Sequence, residues 1–370
     1  MERLNFKKNK TSLTIGVEME LQVLDHESLL LTPRANELIE KISSKKLKPE
    51  FFQSSLEVVT GVCKDVHDIQ ADLSKSLQLI KENLRDLGLK ISSTGTHPEA
   101  DYRDRLVTPS PRYNELLDRN QWIIRRMAVY GMHIHLGMES GDACIRFHNF
   151  FLNFVPHFLA LSASSPFWQK MHTGLSCSRL TMYEAMPTSG MPHIVNSWNE
   201  FEEMFSAMRE TEAIKSVHDL WLDMRPSPEI GTLEIRVCDQ PATISEALAI
   251  VAYVHSLAHW YKINYAEWDS INKVMTPWVL RENKWRAIRY GLSAGIIKSP
   301  SNEIIKMKDD VSWWIKMLQQ IAKKFGYEKF FLDLQNIVDF GNSAERQLRI
   351  FTKTNDLHDV VRYNVSEFEK

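Results

Sequence analysis

The stretch GMHIHLGM, residues 131–138, sets two histidines one residue apart in an otherwise apolar run. Alternation with period two marks a strand, because successive side chains leave a pleated backbone on opposite faces. Met132, Ile134 and Leu136 then share one face, and His133, His135 and Gly137 share the other. Three further segments divide in the same way. In TIGVEMELQVL, Ile15, Val17, Met19 and Leu21 oppose Thr14, Gly16, Glu18 and Glu20. In SLEVVTG, Leu56 and Val58 oppose Ser55, Glu57 and Val59, and in GTLEIRVCD, Leu233, Ile235 and Val237 oppose Thr232, Glu234 and Arg236. Each strand has an apolar side and a side rich in charge or imidazole, as an antiparallel sheet covered on one face requires.

Between these strands the period lengthens. After Asp65 the residues Val66, Ile69, Leu73, Leu77, Ile80, Leu84 and Leu87 recur at spacings of three and four, and Gly88 follows as a stop. Further helices are expected from near Pro111, from about Asp142 through FHNFFLNFVPHFLALSA, and from Thr243, which is spaced from Glu246 as in a capping box. Strands and helices alternate irregularly, without a βαβ repeat. The segment 162–197 is rich in Ser, Pro and Gly and too long for a mere connection, which points to a functional loop. From about residue 245 the chain reads mostly as helix, with many Trp and Lys.

With 370 residues, 44% of them hydrophobic, the chain can bury a core as one large or two average domains. Its 45 basic and 47 acidic side chains leave a net charge of -2, so no field concentrates nucleic acid or anionic lipid. Cys63, Cys144, Cys177 and Cys238 form no C-x-x-C pair, which argues for buried thiols in a reduced cytoplasm rather than a disulfide framework. No apolar stretch of signal-peptide length follows the start. The greasiest segment, ALAIVAYVHSLAHWY, is interrupted by His255 and His259, so neither export nor a membrane span is expected.

Glu18 and Glu20 on one side of one strand repel by about 4 kcal/mol at an effective dielectric of 20. Water offsets this on a wet outer face; on a cleft wall, hard divalent cations such as Mg²⁺ do so through carboxylate oxygens. His133 with His135 poses the same choice, and Glu234 with Arg236 repeats the geometry with opposite signs. Taken together, strands from distant parts of the chain bring carboxylate, imidazole and guanidinium to one face, and a shared cleft is the economical reading. Glu18, Glu20, Glu57 and Glu234, with two histidines and an arginine, suit hard metal ions and transferring phosphoryl groups. The chain lacks G-x-S-x-G, H-E-x-x-H, a P-loop and a Rossmann fingerprint.

The blocks GVEMEL, GTHPEA, GMHIHLG, LSASSPFW, DMRPSPEIGTLEIRVCDQP and NKWRAIRYGL fall in order over residues 14–294 and resemble the YbdK-type carboxylate-amine ligases, also called glutamate-cysteine ligase type 2. More distantly the strands are similar to glutamine synthetase. The resemblance implies a single α+β domain over 1–370: a mostly antiparallel, curved, glutamine synthetase-like sheet with helices behind and a helical part from about 295. It implies that the concave face holds ATP and two or three Mg²⁺. Glu18, Glu20, Glu57, His133 and Glu234 would bind metal, His135 would lie beside the nucleotide, and Arg236 would contact the transferring phosphoryl. Thr96 and His97 in the second block would face substrate, while Arg179 and Arg225 are candidates for gripping a carboxylate or phosphate. The implied reaction is phosphorylation of a carboxylate, glutamate's γ-carboxylate in the family, followed by attack of an amine such as cysteine. A cytoplasmic homodimer acting on small molecules is the corresponding expectation. Two departures stand out: Met19 replaces a glutamate of the usual first strand, and His172, Thr173, Gly174 and Leu175 replace a D-T-G-Y run. A metal-dependent hydrolase and a nucleotide-binding regulator with a silent site are the competing readings.

Overall fold

The computed structural model describes residues 4–9, 11, 13–271 and 275–370. Within it the alternating segments are neighbours in one seven-stranded sheet, ordered Met224–Ser227, Thr232–Asp239, Gly131–Gly137, Ile15–Asp25, Ser55–Val59, Leu47–Pro49. Leu89–Ser92 pairs with the far half of Ile15–Asp25. Every pairing in this sheet is antiparallel, so the fold is α+β with strands brought together by long helical connections.

Met19, Leu21, Met132, Ile134, Leu136, Leu233 and Ile235 are all fully buried on one face. The helices Val66–Leu87, Val155–Ser162 and Ile244–Ile271 pack over it. Burying each such side chain is worth about 1.5–3 kcal/mol, and a one-residue slip would turn the whole set to the wrong side, so the register is strongly specified. Met19 belongs to this apolar face, and its exchange for glutamate therefore leaves the polar face untouched.

Helix Val66–Leu87 starts where Asp65 accepts from the His67 and Asp68 N–H groups and stops at left-handed Gly88. The 28-residue helix Ile244–Ile271 runs through the interior. Thr243 caps it by accepting from the Glu246 N–H at 3.1 Å, whereas the Glu246 carboxylate turns to Arg346 instead of completing a capping box. The histidines in its apolar run are held: His255 reaches the Tyr327 hydroxyl at 2.8 Å and the Leu13 carbonyl at 3.0 Å, and His259 lies 3.2 Å from His255. Among the described residues no helix is long and apolar enough to cross a membrane.

Three segments differ from the sequence expectation. The run from Asp142 is two helices, Gly141–Leu152 and Val155–Ser162, because Pro156 lacks an N–H and fits the first turn of a helix, not its interior. The loop 162–197 is structured, with the short pair Phe167–Trp168 and Met171–His172 and the helix Ser178–Tyr183. The part from 295 opens with a hairpin, Gly295–Lys298 with Glu303–Lys306, before five helices run from Met307 to Glu369. Among the described residues the largest buried apolar cluster draws on segments from Phe6 to Phe368.

Candidate active site

Register decides which side chains meet. Glu20 lies opposite Glu57, Glu18 opposite His133, Gly16 opposite His135, and Glu234 opposite both His135 and Arg225. Opposed partners present their side chains to the same face of a sheet. Glu18, Glu20, Glu57, His133, His135, Arg225 and Glu234 thus share the face turned away from Val66–Leu87, Val155–Ser162 and Ile244–Ile271. Arg236 stands in an irregularity, since the pairing of its strand with the histidine strand shifts between Ile235 and Cys238. Such a bulge re-aims a side chain. The Arg236 guanidinium donates to Glu234 and, at 3.2 Å, to the Tyr183 hydroxyl.

The electrostatics divide the face into two parts. On one side Glu18 lies 3.1 Å from His133 Nδ1 and 3.3 Å from His135 Nε2. Burial acts to raise its pKa, but the two imidazoles outweigh it and hold the carboxylate well below its usual range. Glu234 is 2% exposed, yet Arg236 and Arg225 overcome its desolvation and keep it ionised far below neutral pH. Burial and then Arg236 push His133 down despite Glu18, which favours the neutral imidazole that a metal requires. For His135 burial is outweighed by Glu18 and Glu234, and its pKa rises; its Nδ1 lies 3.0 Å from the Thr232 hydroxyl.

On the other side carboxyl groups crowd together. Burial and Glu20 push Glu50 up to about 7, and burial and Glu50 push Glu57 well above the carboxylate range. The two carboxyls interact directly, and the Lys48 ammonium lies 3.6 Å from Glu57. Glu50 escaped the sequence reading because it follows a three-residue edge strand ending in Pro49, too short for alternation to mark it. Tyr183 escaped it too, lying in a six-residue helix inside the long loop.

A ligand oxygen from each of Glu18 and Glu234 and a nitrogen of His133 all lie within 4.8 Å of one another. Two carboxylates kept ionised beside a neutral imidazole are a donor set that fits a divalent cation, and the further carboxyls of Glu20, Glu50 and Glu57 favour a hard, oxygen-seeking one.

The arginines differ. Arg225 donates to Glu234 at 2.8 and 3.4 Å and to the carbonyls of Val217, His218 and Leu220 at 3.1, 3.2 and 2.9 Å, leaving it little to offer a substrate. Arg179 is equally buried, but of its donors only Nη2 is hydrogen-bonded, at 3.4 Å from the Arg236 carbonyl; its guanidinium also lies over the Tyr183 ring at 5.6 Å and acts on the buried Asp239 carboxylate. Its Nε and Nη1 have no hydrogen-bond partner among the described residues. It lines one pocket with Glu20, Glu50, His133, Tyr183 and Arg236. Buried, unsatisfied cationic donors are costly, and an anion satisfies them. Gly131 makes room for this side chain, since a Cβ there would overlap the Arg179 guanidinium.

Thr96 and His97 do not line this pocket. Thr96 donates to the Phe167 carbonyl at 2.7 Å; His97 bridges the Leu29 carbonyl, at 2.9 Å, and the Glu99 N–H, at 3.2 Å. Both are buried and spent on holding loops, and burial lowers the His97 pKa to about 4. Spacing in sequence marks a turn here, and main-chain carbonyls, not an open cleft, lie around it.

The chain is similar to known proteins along almost its whole length. The sequence profile of glutamate-cysteine ligase family 2 matches residues 14–363. A Gloeobacter violaceus protein provisionally named glutamate-cysteine ligase 2 is 36% identical over 359 residues, covering 96% of each chain. A Bdellovibrio bacteriovorus protein with the same provisional name is 39% identical over 360 residues, covering 96% of this chain and 95% of its own. Among solved structures, a glutamate-cysteine ligase from Francisella tularensis in complex with AMP superposes with a TM-score of 0.70 at 12% identity, covering 99% of this chain and 90% of that one. A bifunctional glutathione synthetase from Pasteurella multocida gives 0.68 at 14% identity; the match covers 97% of this chain and 51% of that longer one.

Proposed function

Because the chain belongs to glutamate-cysteine ligase family 2, we propose that it is an ATP-dependent ligase that activates an amino-acid carboxylate as an acyl phosphate and couples it to an amine, releasing ADP and phosphate. A carboxylate is a poor electrophile until one oxygen becomes a leaving group. Phosphoryl transfer asks a protein mainly for positioning and charge neutralisation. The observation that carries the reading is the meeting of Glu18, His133 and Glu234 within 4.8 Å, beside a largely buried Arg236.

Glu18, Glu20, Glu57, His133 and Glu234 would hold Mg²⁺, with Glu50 as a further candidate; when bound, the metal supplies neutralisation of phosphate charge. Arg236, whose plane is fixed by Glu234 and Tyr183, offers its remaining donors to the transferring phosphoryl group. His135 borders the nucleotide. Arg225 holds Glu234 in place and acts through it. Arg179, with two unsatisfied nitrogens, takes the carboxylate of the amino acid. Glutamate as carboxylate donor, cysteine or another small amine as acceptor, and a cytoplasmic homodimer complete the proposal.

The test is phosphate release from ATP. It is expected only when Mg²⁺, glutamate or another amino acid, and an amine are present together, and Glu234→Gln should abolish it. Undiminished turnover by that variant would refute the metal role. One zinc per chain with hydrolysis independent of ATP would favour the metal-dependent hydrolase instead, and ATP binding without turnover across amino acids would favour the silent regulator.

A further inference from the structure

The block NKWRAIRY, residues 283–290, lies on the helix Pro277–Tyr290, which contributes no residue to the polar face of the sheet. It nevertheless carries an ion into the interior. Lys284 is 3% exposed, and its ammonium is clasped between Asp223, which is fully buried, and Glu184. Burial would lower its pKa, and Asp223 and Glu184 more than offset this, so the ammonium stays charged. Buried ion pairs of this kind contribute little net stability compared with apolar residues of the same volume. Their geometry is more informative than their energy.

Each carboxylate adjoins something that holds Arg236. The Asp223 main-chain carbonyl accepts the Arg236 N–H at 2.8 Å, at the irregularity that turns Arg236 out of the ladder. Glu184 directly follows Tyr183, whose hydroxyl receives Arg236 Nε. The same helix also accepts, through the Ile288 carbonyl, the N–H groups of Ser176 at 2.8 Å and Cys177 at 3.1 Å, just before the helix that carries Arg179.

We propose that Lys284 is a positioning residue for Arg236: by clamping Asp223 and Glu184 to one rigid helix, it fixes the main chain of Arg236 from one side and its guanidinium from the other. This rests on the ligase reading, in which Arg236 meets the transferring phosphoryl group. A purely structural ion pair would affect stability alone.

Lys284→Met by itself strands the Asp223 carboxylate in the interior, so the informative variants are the charge-balanced pair Lys284→Met with Asp223→Asn and, separately, Glu184→Gln at a partly exposed position. Two readouts apply. In phosphate release, kcat should fall by about 10²-fold in the balanced pair and about tenfold in Glu184→Gln, with KM for ATP within roughly twofold of wild type, as for a misplaced group that acts in the transition state. In ¹⁵N-arginine spectra, the Arg236 Nε–H, identified by its absence in Arg236→Lys, should lose its protection from solvent exchange in both variants. Wild-type kcat in the folded variants, or a still-protected Arg236 Nε–H, would overturn the proposal. If wild-type protein releases no phosphate, the ligase reading fails, yet the exchange measurement needs no turnover and still decides the role of Lys284.

Discussion

Replacing Arg225 by alanine removes the side chain most completely enclosed by the site's own hydrogen bonds. Five contacts are lost: two to Glu234 and one each to the carbonyls of Val217, His218 and Leu220. Glu234 remains, buried, with Arg236 as its surviving guanidinium partner. Removing one partner of a buried pair costs about 3–5 kcal/mol, because the other charge is left in a poor solvent. Each carbonyl that stays dry adds about 1–3 kcal/mol, and water entering the vacated space recovers part of that. A net loss of about 4 kcal/mol is a large share of a total stability of roughly 5–15 kcal/mol. For a chain of this length it corresponds to a fall in melting temperature of roughly 5–10 °C. Calorimetry measures the stability. Arg225→Lys should recover only part of it, since an ammonium cannot reproduce the fork. A melting temperature for Arg225→Ala within about 2 °C of wild type would refute the reasoning, because Glu234 would then have been held ionised without Arg225.

Other perturbations separate substrate binding, local stability and ionisation. Gly131→Ala forces the Arg179 guanidinium aside; KM for the amino acid should rise about tenfold or more, with KM for ATP little changed, and an unaltered KM for the amino acid would remove Arg179 from the substrate site. Asp65→Ala deletes the cap on helix Val66–Leu87 and should cost about 1 kcal/mol of stability with no change in kcat, as denaturant melts and turnover would show. Glu50 binds its proton up to about pH 7 when folded but releases it near 4.5 when unfolded. The folded state therefore holds more protons in that window, and this group's contribution to stability is lost as pH rises from 4.5 to 7. With a chelator present, melting temperatures across that window should decline more steeply for wild type than for Glu50→Gln, and parallel curves would contradict the pairing of Glu50 with Glu57.

Much of this architecture is legible in residue order, for a definite reason. Period two sorted Glu18, Glu20, Glu57, His133, His135, Glu234 and Arg236 onto polar faces, and the opposite faces were apolar enough to admit only one register. Sequence supplied the faces, and antiparallel pairing then set Glu18 against His133. Glu50 was invisible because its strand is three residues long. Tyr183 and the partners of Arg179 depend on how a 36-residue segment folds back, which no local period encodes. Thr96 and His97 sit in a recognisable block whose polar atoms serve neighbouring carbonyls. Arg225 reads as a free cation in sequence, and only the turn over Val217–Asp219 shows that its donors are taken. The break at Asn153 was written in Pro156, but an apolar run on both sides conceals a helix end that is itself buried.

The most direct test of the shared metal face is anomalous difference density from crystals soaked with Mn²⁺ and a non-hydrolysable ATP analogue. Peaks bordered by Glu18, His133 and Glu234, lost in Glu18→Gln, are expected. Well-ordered Mn²⁺ and nucleotide bound elsewhere, with that face of the sheet empty, would contradict it.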